Sequence, residues 1–246
     1  MNQDKIQASI DSIESFGLVD GPGIRIVVFF NGCKLRCKYC HNPEMWIKKE
    51  NNYTPQQLVD KIKRYKPYFK HNGGVTFSGG EPLLHSKFII ETAKLLKQED
   101  IHIALDTAGV GLGDYAEVLK YIDLVLLDIK HTTKEGYKDV TGLELNEVEN
   151  FINEINKQNK EVWIRQVIIP GIMDNEKYIN SLVEYLKHIK NIKRIDFLPF
   201  HRLGREKYLA MNLKYPYEDK QDMDKNECDK LYKSFTEKYN KTQKED

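Results

Sequence analysis

Short apolar runs alternate along this chain with longer segments in which apolar residues recur every three or four positions. The short runs, rich in β-branched residues, predict strands, and the longer segments predict amphipathic helices. We predict strands at 24–30, 74–77, 101–105, 124–129, 161–168 and 194–198. We predict helices at 54–65, 86–98, 114–121, 146–158 and 176–187, and a closing helix at 222–239.

Strands that alternate with helices of this length predict βαβ units and a parallel sheet. The chain holds about six such units, fewer than the eight of a closed barrel. We therefore expect an α/β fold, either an open, partial TIM-type barrel or a doubly wound sheet. Because no linker or tandem repeat interrupts the pattern, residues 1–246 are expected to form one domain. Its core spans about 12–212, and a closing helix with a lysine-rich tail spans about 220–246.

Composition narrows the class of protein. Of 246 residues, 40% are hydrophobic and 30% are charged, and the formal net charge is +1. This balance is typical of a globular protein and gives no electrostatic reason to expect nucleic acid or a membrane as partner. The start of the sequence lacks the features of a signal peptide, and its longest apolar run is too short to span a bilayer. We expect a cytoplasmic protein, whose thiols stay reduced.

Three of the four cysteines are close together, at Cys33, Cys37 and Cys40. In a reducing compartment this spacing indicates metal ligands or reactive thiols rather than disulfides. Structural zinc and iron–sulfur clusters normally take four protein ligands, so three cysteines leave one coordination position open. The alternatives are a cluster with an open iron, a zinc site completed by His41, or redox thiols. Cys228 lies in a distant polar segment and is expected to be an incidental thiol.

Polar residues and glycines follow the predicted strands at their carboxyl ends, where parallel α/β sheets bind ligands. Residues at the same end of successive strands are expected to converge on one pocket. They are Cys33, Cys37, Cys40, Ser78, Gly79, Gly80, Glu81, Asp106, Thr107, Asp128, Ile129, Lys130, Arg165, Pro199 and His201. The sequence therefore predicts an active site at this edge of the sheet.

Several segments, in this order along the chain, resemble the motifs of a known family. They are DGPGIR at 20–25, CKLRCKYCHN at 33–42, SGGEP at 78–82, DIK at 128–130 and LPFH at 198–201. The C-x3-C-x2-C spacing, with an aromatic residue before the last cysteine, resembles the cluster motif of the radical S-adenosylmethionine (SAM) superfamily. The whole set, which spans roughly residues 12 to 212, resembles the pyruvate formate-lyase-activating enzymes.

The resemblance implies an oxidoreductase that holds a [4Fe–4S] cluster on Cys33, Cys37 and Cys40. In this family the amino and carboxylate groups of SAM chelate the open iron, and one electron from the reduced cluster breaks the S–C5′ bond. The resulting 5′-deoxyadenosyl radical takes a hydrogen atom from a backbone glycine of a partner enzyme. The expected partner is pyruvate formate-lyase (formate C-acetyltransferase), acting in anaerobic metabolism. The expected electron donor is flavodoxin or a ferredoxin-type protein, and the activase is expected to be a monomer.

The resemblance also implies a set of SAM contacts. Backbone carbonyls around Gly79, Gly80 and Glu81 would accept hydrogen bonds from the amino group, because glycine has no Cβ to block a close approach. Asp128 and Lys130 lie two apart on a strand and so share a face, where they would meet the ribose hydroxyls and the methionine carboxylate. Further contacts are expected from Tyr39, Cys40, His41, Ile129, Arg165 and His201.

For three further features the sequence allows more limited predictions of their roles. Asp106 and Thr107, together with Asp128, resemble a monovalent-cation site of the family. The segment 20–23 predicts a turn to which we assign no chemical role. The basic residues at 34, 36 and 38 either face an acidic electron donor or are solvated loop charges.

Two rival interpretations remain open. The first is an activase of another glycyl radical enzyme. Many of those activases carry an inserted ferredoxin-like segment with extra cysteines. No cysteine lies between Cys40 and Cys228, which favours the pyruvate formate-lyase type. The second, from a different class, is a non-catalytic module that binds zinc or an iron–sulfur cluster.

Overall fold

The sheet has the open α/β architecture that the sequence predicts. The computed structural model describes residues 6–243. Its strands are β1 (Ile10–Gly17), β2 (Arg25–Phe30), β3 (Gly74–Gly79), β4 (His102–Thr107), β5 (Leu124–Asp128), β6 (Glu161–Ile168) and β7 (Ile192–Pro199). They lie side by side in chain order; β1 is antiparallel to β2, and the other neighbouring strands are parallel. Because the described sheet begins at β1 and ends at β7 without closing, it is a partial barrel.

Each predicted helix is present, and most end within a few residues of the predicted bounds. The α-helices are α1 (Pro55–Lys63), α2 (Lys66–Phe69), α3 (Ser86–Gln98), α4 (Tyr115–Leu119), α5 (Lys134–Thr141), α6 (Asn146–Lys157), α7 (Glu176–Leu186), α8 (Arg205–Ala210) and α9 (Lys225–Thr242). α1 begins where the sequence indicates, because Thr54 and Gln57 form a capping box. Residues 1–5, and 244–246 of the predicted tail, lie outside the described residues. Over residues 6–243 we find no helix that combines the length and apolar character of a membrane span.

Strand β1 and helices α2, α5 and α8 have no counterpart in the sequence-based prediction. β1 pairs with β2 through two register shifts, between Ile10 and Ser12 and between Glu14 and Gly17. A register shift interrupts the alternation of buried and exposed side chains by which a strand is recognised in sequence. β1 therefore carries no regular pattern, although it covers one edge of the sheet.

The main core lies between the outer face of the sheet and the helices, and its large buried residues include Phe30, Phe77 and Phe151. Inside the barrel, a smaller apolar cluster of Ala104, Leu124 and Leu126 fills the amino-terminal end. Parallel strands covered on both faces are apolar throughout. Many of the polar residues of the sheet, among them Ser78, Asp106, Thr107 and Asp128, lie at the carboxyl ends of the strands, where the candidate site lies.

Candidate active site

A cavity of about 570 Å³ opens at the carboxyl ends of the strands. Cavities of this size typically hold small ligands. Among its lining residues are most of the predicted site residues: Cys33, Cys37, Tyr39, Cys40, His41, Gly79, Gly80, Asp106, Thr107, Asp128, Lys130, Arg165 and His201. The structure thus brings the separate motifs of the sequence together in one place.

Asp20 and Trp46 also line the cavity, although the sequence did not single them out as site residues. Asp20 belongs to the segment that predicted only a turn. The motif around it was visible in the sequence, but no pattern of residue types indicated that it returns to the cavity. Trp46 carried no signal at all, because a lone tryptophan is more often a core residue.

The cysteine loop follows directly after β2, and all three of its thiols are free. Cys40 donates its backbone N–H to the carbonyl of Cys37 at 3.0 Å, a tight turn that fits the two-residue spacing of the last pair. Burial raises the pKa of Cys37 to about 11. It also raises the pKa of Cys33 and Cys40. The thiols are therefore protonated on their own, and binding of a metal or cluster must release their protons.

The three thiols line the cavity wall, but they are not grouped around a common metal position. In the described part of the chain, no three His, Cys, Asp or Glu side chains are placed to hold a single metal ion. Two buried polar atoms of the same wall, Tyr39 Oη and His201 Nδ1, have no hydrogen-bond partner among residues 6–243. Buried polar groups are seldom left unpaired, so we expect a ligand bound in the cavity to supply partners for these two atoms.

Helix α5 holds the cysteine loop from outside. The backbone N–H groups of Arg36 and Lys38 donate to the carbonyls of Thr141 and Val140, at 2.8 and 2.9 Å. The last carbonyls of a helix have no partner within the helix, so the loop satisfies them. Each contact joins parts of the chain about a hundred residues apart, and sequence spacing could not reveal it.

The three basic side chains of the cysteine loop all bind groups within the chain. Lys34 Nζ donates to a backbone carbonyl at 2.8 Å. The Arg36 guanidinium lies 4.9 Å from the centre of an indole ring. Lys38 Nζ lies 2.6 Å from a carboxylate oxygen of Asp139. Because Lys34 and Arg36 are nevertheless exposed, a role of these charges in binding an electron donor stays a prediction.

A charged cluster faces the cavity from β4, β5 and β6. The Arg165 guanidinium lies between two carboxylates: it contacts Asp106 directly, and its Nε is 3.0 Å from Asp128. Lys130 Nζ lies 2.9 Å from the other oxygen of Asp128. Although burial opposes it, the neighbouring Arg165 and Lys130 hold the pKa of Asp128 below its ordinary value. The cluster therefore carries fixed charges of both signs at the cavity wall.

The predicted cation residues have protein partners in this structure. The carboxylates of Asp106 and Asp128 share Arg165, and the hydroxyl of Thr107 donates to Glu81 at 2.5 Å. The guanidinium thus supplies positive charge between the two carboxylates. A monovalent cation at these residues stays a prediction.

Glu81 and Ile129, which were predicted to contact SAM, do not line the cavity. The Glu81 side chain is fully buried and accepts hydrogen bonds from Thr107 Oγ1 and from the backbone N–H groups of Leu83 and Ala108. It thereby ties the loop after β3 to the end of β4. Ile129 is buried, and its N–H donates to the carbonyl of Arg165 at 2.9 Å.

The glycines before Glu81 are required by close packing of the backbone. A Cβ on Gly79 would lie 2.3 Å from the nitrogen of Phe30, and one on Gly80 would lie 2.3 Å from the carbonyl oxygen of Gly32. Gly79 also has a φ of +110°, which disfavours any side chain. The glycines let the loop after β3 lie directly against the start of the cysteine loop.

The Glu81→Gln variant is expected to differ from wild type in a pH-dependent way. Burial raises the pKa of Glu81 from 4.5 to about 7, so in the folded protein its charged form is disfavoured. A carboxyl with a raised pKa contributes stability that is present below its unfolded pKa and lost as pH rises through its folded pKa. Between pH 5.5 and pH 8.5, wild type should lose about 2 kcal/mol more unfolding free energy than the glutamine variant.

Urea unfolding of cluster-free protein at the two pH values measures this difference. Because the other titrating groups are common to both proteins, they cancel in the comparison. Parallel pH dependences for wild type and variant would show that Glu81 does not titrate in this range.

Two histidines complete the wall next to the last cysteine. The rings of His41 and His201 stack with centroids 4.1 Å apart, and His41 Nε2 lies 3.0 Å from the carbonyl oxygen of His201. This contact joins the cysteine loop, which follows the first parallel strand β2, to the residues that follow the last parallel strand β7. The two stacked rings therefore form the part of the cavity wall that lies between the first and the last parallel strand.

Known proteins resemble this chain in sequence over most of its length. Residues 27–193 match the radical SAM superfamily. A pyruvate formate-lyase-activating enzyme from Clostridium pasteurianum is 48% identical over 234 residues, which are 94% of this chain and 98% of that protein. The enzyme of the same name from Streptococcus mutans is 38% identical, over 89% of this chain and 87% of its own length.

Solved structures show the same fold. A domain of a pyruvate formate-lyase-activating enzyme from Bacteroides vulgatus superposes with a TM-score of 0.52 at 25% identity, over 67% of this chain and 95% of that one. Streptococcus suis SuiB superposes with a TM-score of 0.63 at 16% identity, over 86% of this chain and 44% of that one, which is a likeness of fold. This chain therefore belongs to the radical SAM superfamily and, within it, to the family of pyruvate formate-lyase-activating enzymes.

Proposed function

We propose that this chain activates pyruvate formate-lyase by creating a glycyl radical on it, with SAM and a [4Fe–4S] cluster as cofactors. One observation carries the proposal: three free cysteines from one loop and a charged cluster from three strands line the same cavity. Membership of the radical SAM superfamily indicates that this arrangement serves SAM cleavage at an iron–sulfur cluster. The match to relatives of the same name over nearly the full chain supports pyruvate formate-lyase as the partner.

Cys33, Cys37 and Cys40 would hold the cluster as thiolates. When bound, the cluster supplies the electron that cleaves SAM and so provides the 5′-deoxyadenosyl radical that takes hydrogen from the partner's glycine. The protein's own part is to bind, orient and exclude water. Cys37 is buried and Cys33 and Cys40 are half-buried, and the hydrogen bonds from the loop to the last carbonyls of α5 help to hold the three thiols in place.

The charged cluster and the orphan polar atoms are proposed to bind SAM. Lys130 has three donors and uses one on Asp128, so it can pair with the methionine carboxylate as well. The carbonyls of Gly79 and Gly80 are proposed to accept hydrogen bonds from the amino group. His201 Nδ1 is proposed to meet the ribose or the adenine edge.

The electron donor and the assembly are also matters of proposal. A flavodoxin or ferredoxin-type protein is proposed as donor, since the family chemistry needs one electron per turnover. We propose that the enzyme acts as a monomer in the cytoplasm, where its thiols stay reduced.

Anaerobic incubation with candidate partners tests the proposed function. The cluster-loaded protein, SAM and a reductant are mixed with pyruvate formate-lyase, or with a glycerol or choline lyase as a control, and the glycyl radical is counted by electron paramagnetic resonance (EPR). The radical is expected on pyruvate formate-lyase. A signal on another lyase and not on pyruvate formate-lyase would assign a different partner, and no signal with release of 5′-deoxyadenosine would leave only SAM cleavage.

A further inference from the structure

Trp46 ends a short 3-10 helix, Pro43–Trp46, that follows the cysteine loop and brings the chain back against it. Its carbonyl oxygen accepts the backbone N–H of Cys33 at 3.3 Å, so the residue reaches the start of the loop. Its side chain is half-buried and lines the cavity together with the three cysteines. Trp46 is therefore part of the structure that surrounds the thiols.

The indole of Trp46 contacts the other end of the loop, at Cys40. Burial raises the pKa of the Cys40 thiol, and a hydrogen bond from the Trp46 side chain partly offsets this rise. The indole nitrogen is a donor without an acceptor lone pair, so in this contact its N–H points to the sulfur. A donor to sulfur favours the thiolate, which is the form of cysteine that binds a metal or a cluster.

Two neighbouring side chains hold the indole in this orientation. The guanidinium of Arg36 lies 4.9 Å from the centre of the Trp46 ring. The ring of Tyr208 meets the indole edge to face, with centroids 5.5 Å apart and planes at 88°. Tyr208 Oη in turn lies 3.5 Å from the carbonyl oxygen of Cys37. Cation–π and edge-to-face contacts both depend on the direction of the ring, so together they fix where the indole N–H points.

A donor to a cysteine sulfur has its largest effect when a bound cluster is reduced. In that step one electron passes from the external donor to the cluster, no bond is formed or broken, and the sulfur atoms become more negative. A hydrogen bond is stronger when its acceptor carries more negative charge. The bond therefore favours the reduced state, which is how hydrogen bonds to sulfur raise the reduction potential of iron–sulfur proteins.

We propose that Trp46 raises the reduction potential of the cluster through the bond from its indole N–H to the sulfur of Cys40. The inference rests on the proposed function for the presence of a [4Fe–4S] cluster, whereas the contact between Trp46 and Cys40 does not. Trp46 acts through Cys40, so its replacement leaves the three cysteine ligands in place. The expected change is a smaller reduced fraction of the cluster at a given potential.

Trp46→Phe removes the N–H group and keeps both an aromatic ring and the backbone carbonyl that binds Cys33. Trp163→Phe is the matched control. The Trp163 ring also lies close to an arginine, with the Arg194 guanidinium 4.8 Å from its centre, but it packs against the apolar cluster at the amino-terminal end of the barrel. A loss of one indole beside an arginine is thus common to both variants, and only Trp46→Phe removes the donor to Cys40.

The reduction potential is measured on cluster-loaded protein without SAM, by titration with dithionite and redox mediators and EPR of the reduced cluster. At a fixed potential, the ratio of reduced to oxidised cluster should be about tenfold lower in Trp46→Phe than in wild type. For a one-electron couple this is a fall of about 59 mV in the midpoint potential. Trp163→Phe should match wild type.

An unchanged potential in Trp46→Phe, at wild-type iron content, would overturn the proposal and leave Trp46 a role in packing alone. If Trp46→Phe loads less cluster than wild type, 3-benzothienylalanine at position 46 replaces it in the titration. This analogue keeps the shape of the bicyclic ring and has sulfur in place of the N–H group. A lower potential again supports the proposal, and an unchanged one overturns it.

The contact itself is tested in cluster-free protein that carries ¹⁵N-labelled tryptophan, by nuclear magnetic resonance. The chain has two tryptophans, so two indole N–H signals are expected, and the two phenylalanine variants assign them. Cys40→Ala should shift the Trp46 signal alone, and Cys228→Ala should shift neither. A Trp46 signal that Cys40→Ala leaves in place would overturn the contact. If wild type binds no cluster or cleaves no SAM, the proposed function fails, and this spectrum still shows whether the contact exists.

Discussion

Replacing Cys37 with alanine is expected to remove the iron–sulfur absorbance and the SAM cleavage together. Among residues 6–243 three cysteines line the cavity, so the variant retains two thiolates for the cluster. Loss of outer-shell partners alone typically lowers metal affinity by about 10- to 100-fold, and loss of a direct ligand should exceed that. Iron and sulfide content, the visible spectrum and 5′-deoxyadenosine release after anaerobic reconstitution measure the effect.

Cys228→Ala is the matched control for this variant. Cys228 is also buried, but it lies on α9, far along the chain from the cysteine loop. Its replacement should leave iron content and SAM cleavage unchanged. If Cys37→Ala kept both the cluster and the cleavage, Cys37 would not be a ligand.

Arg165→Met is expected to lower the unfolding free energy at neutral pH by about 3 to 5 kcal/mol, the usual effect of breaking a buried ion pair. The variant leaves Asp106 and Asp128, which are mostly buried, without the cation between them. Two carboxylates in that position repel each other and are poorly solvated. The loss should shrink as pH falls toward 4, because protonation of either carboxyl removes the unpaired charge.

Urea unfolding of Arg165→Met, Arg165→Lys and Lys63→Met tests whether the lost stability comes from the buried charge cluster or would follow the removal of any ion pair. Lysine keeps the charge but cannot bridge both carboxylates with a planar fork, so its loss should be intermediate. The Lys63–Glu99 pair is exposed, and its removal should have no measurable effect. An Arg165→Met protein as stable as wild type would contradict the buried charge cluster.

The sequence predicts the repeating part of the fold because that part is built from local patterns. The bounds of α3 and β6 agree with their predicted ranges, since the periodicity of apolar residues indicates both. The pocket could be predicted for a related reason. In a parallel sheet the carboxyl ends of successive strands meet at one edge, so residues such as Asp106, Asp128 and Arg165 could be placed together before their contacts were known.

The parts that could not be predicted depend on contacts between distant segments. The sequence shows a glutamate at position 81 but not where its side chain points. The hydrogen-bond donors of Thr107 and Ala108 determine that orientation. The role of α5 depends on the carbonyls that its last turn offers to the cysteine loop. Arg25 looks like an ordinary charge at a strand start, and only the structure shows that it is buried and that its guanidinium donates to Pro22, Val75 and Thr76.

Transfer of deuterium from the partner tests the central claim most directly. Pyruvate formate-lyase is labelled with glycine deuterated at its α-carbon and incubated anaerobically with the cluster-loaded chain, SAM and a reductant. The mass of the released 5′-deoxyadenosine is then measured, with unlabelled partner as control. We expect one deuterium in the 5′-deoxyadenosine from labelled partner and a glycyl radical signal on that partner. Release of 5′-deoxyadenosine without deuterium would contradict hydrogen abstraction from a glycine of pyruvate formate-lyase.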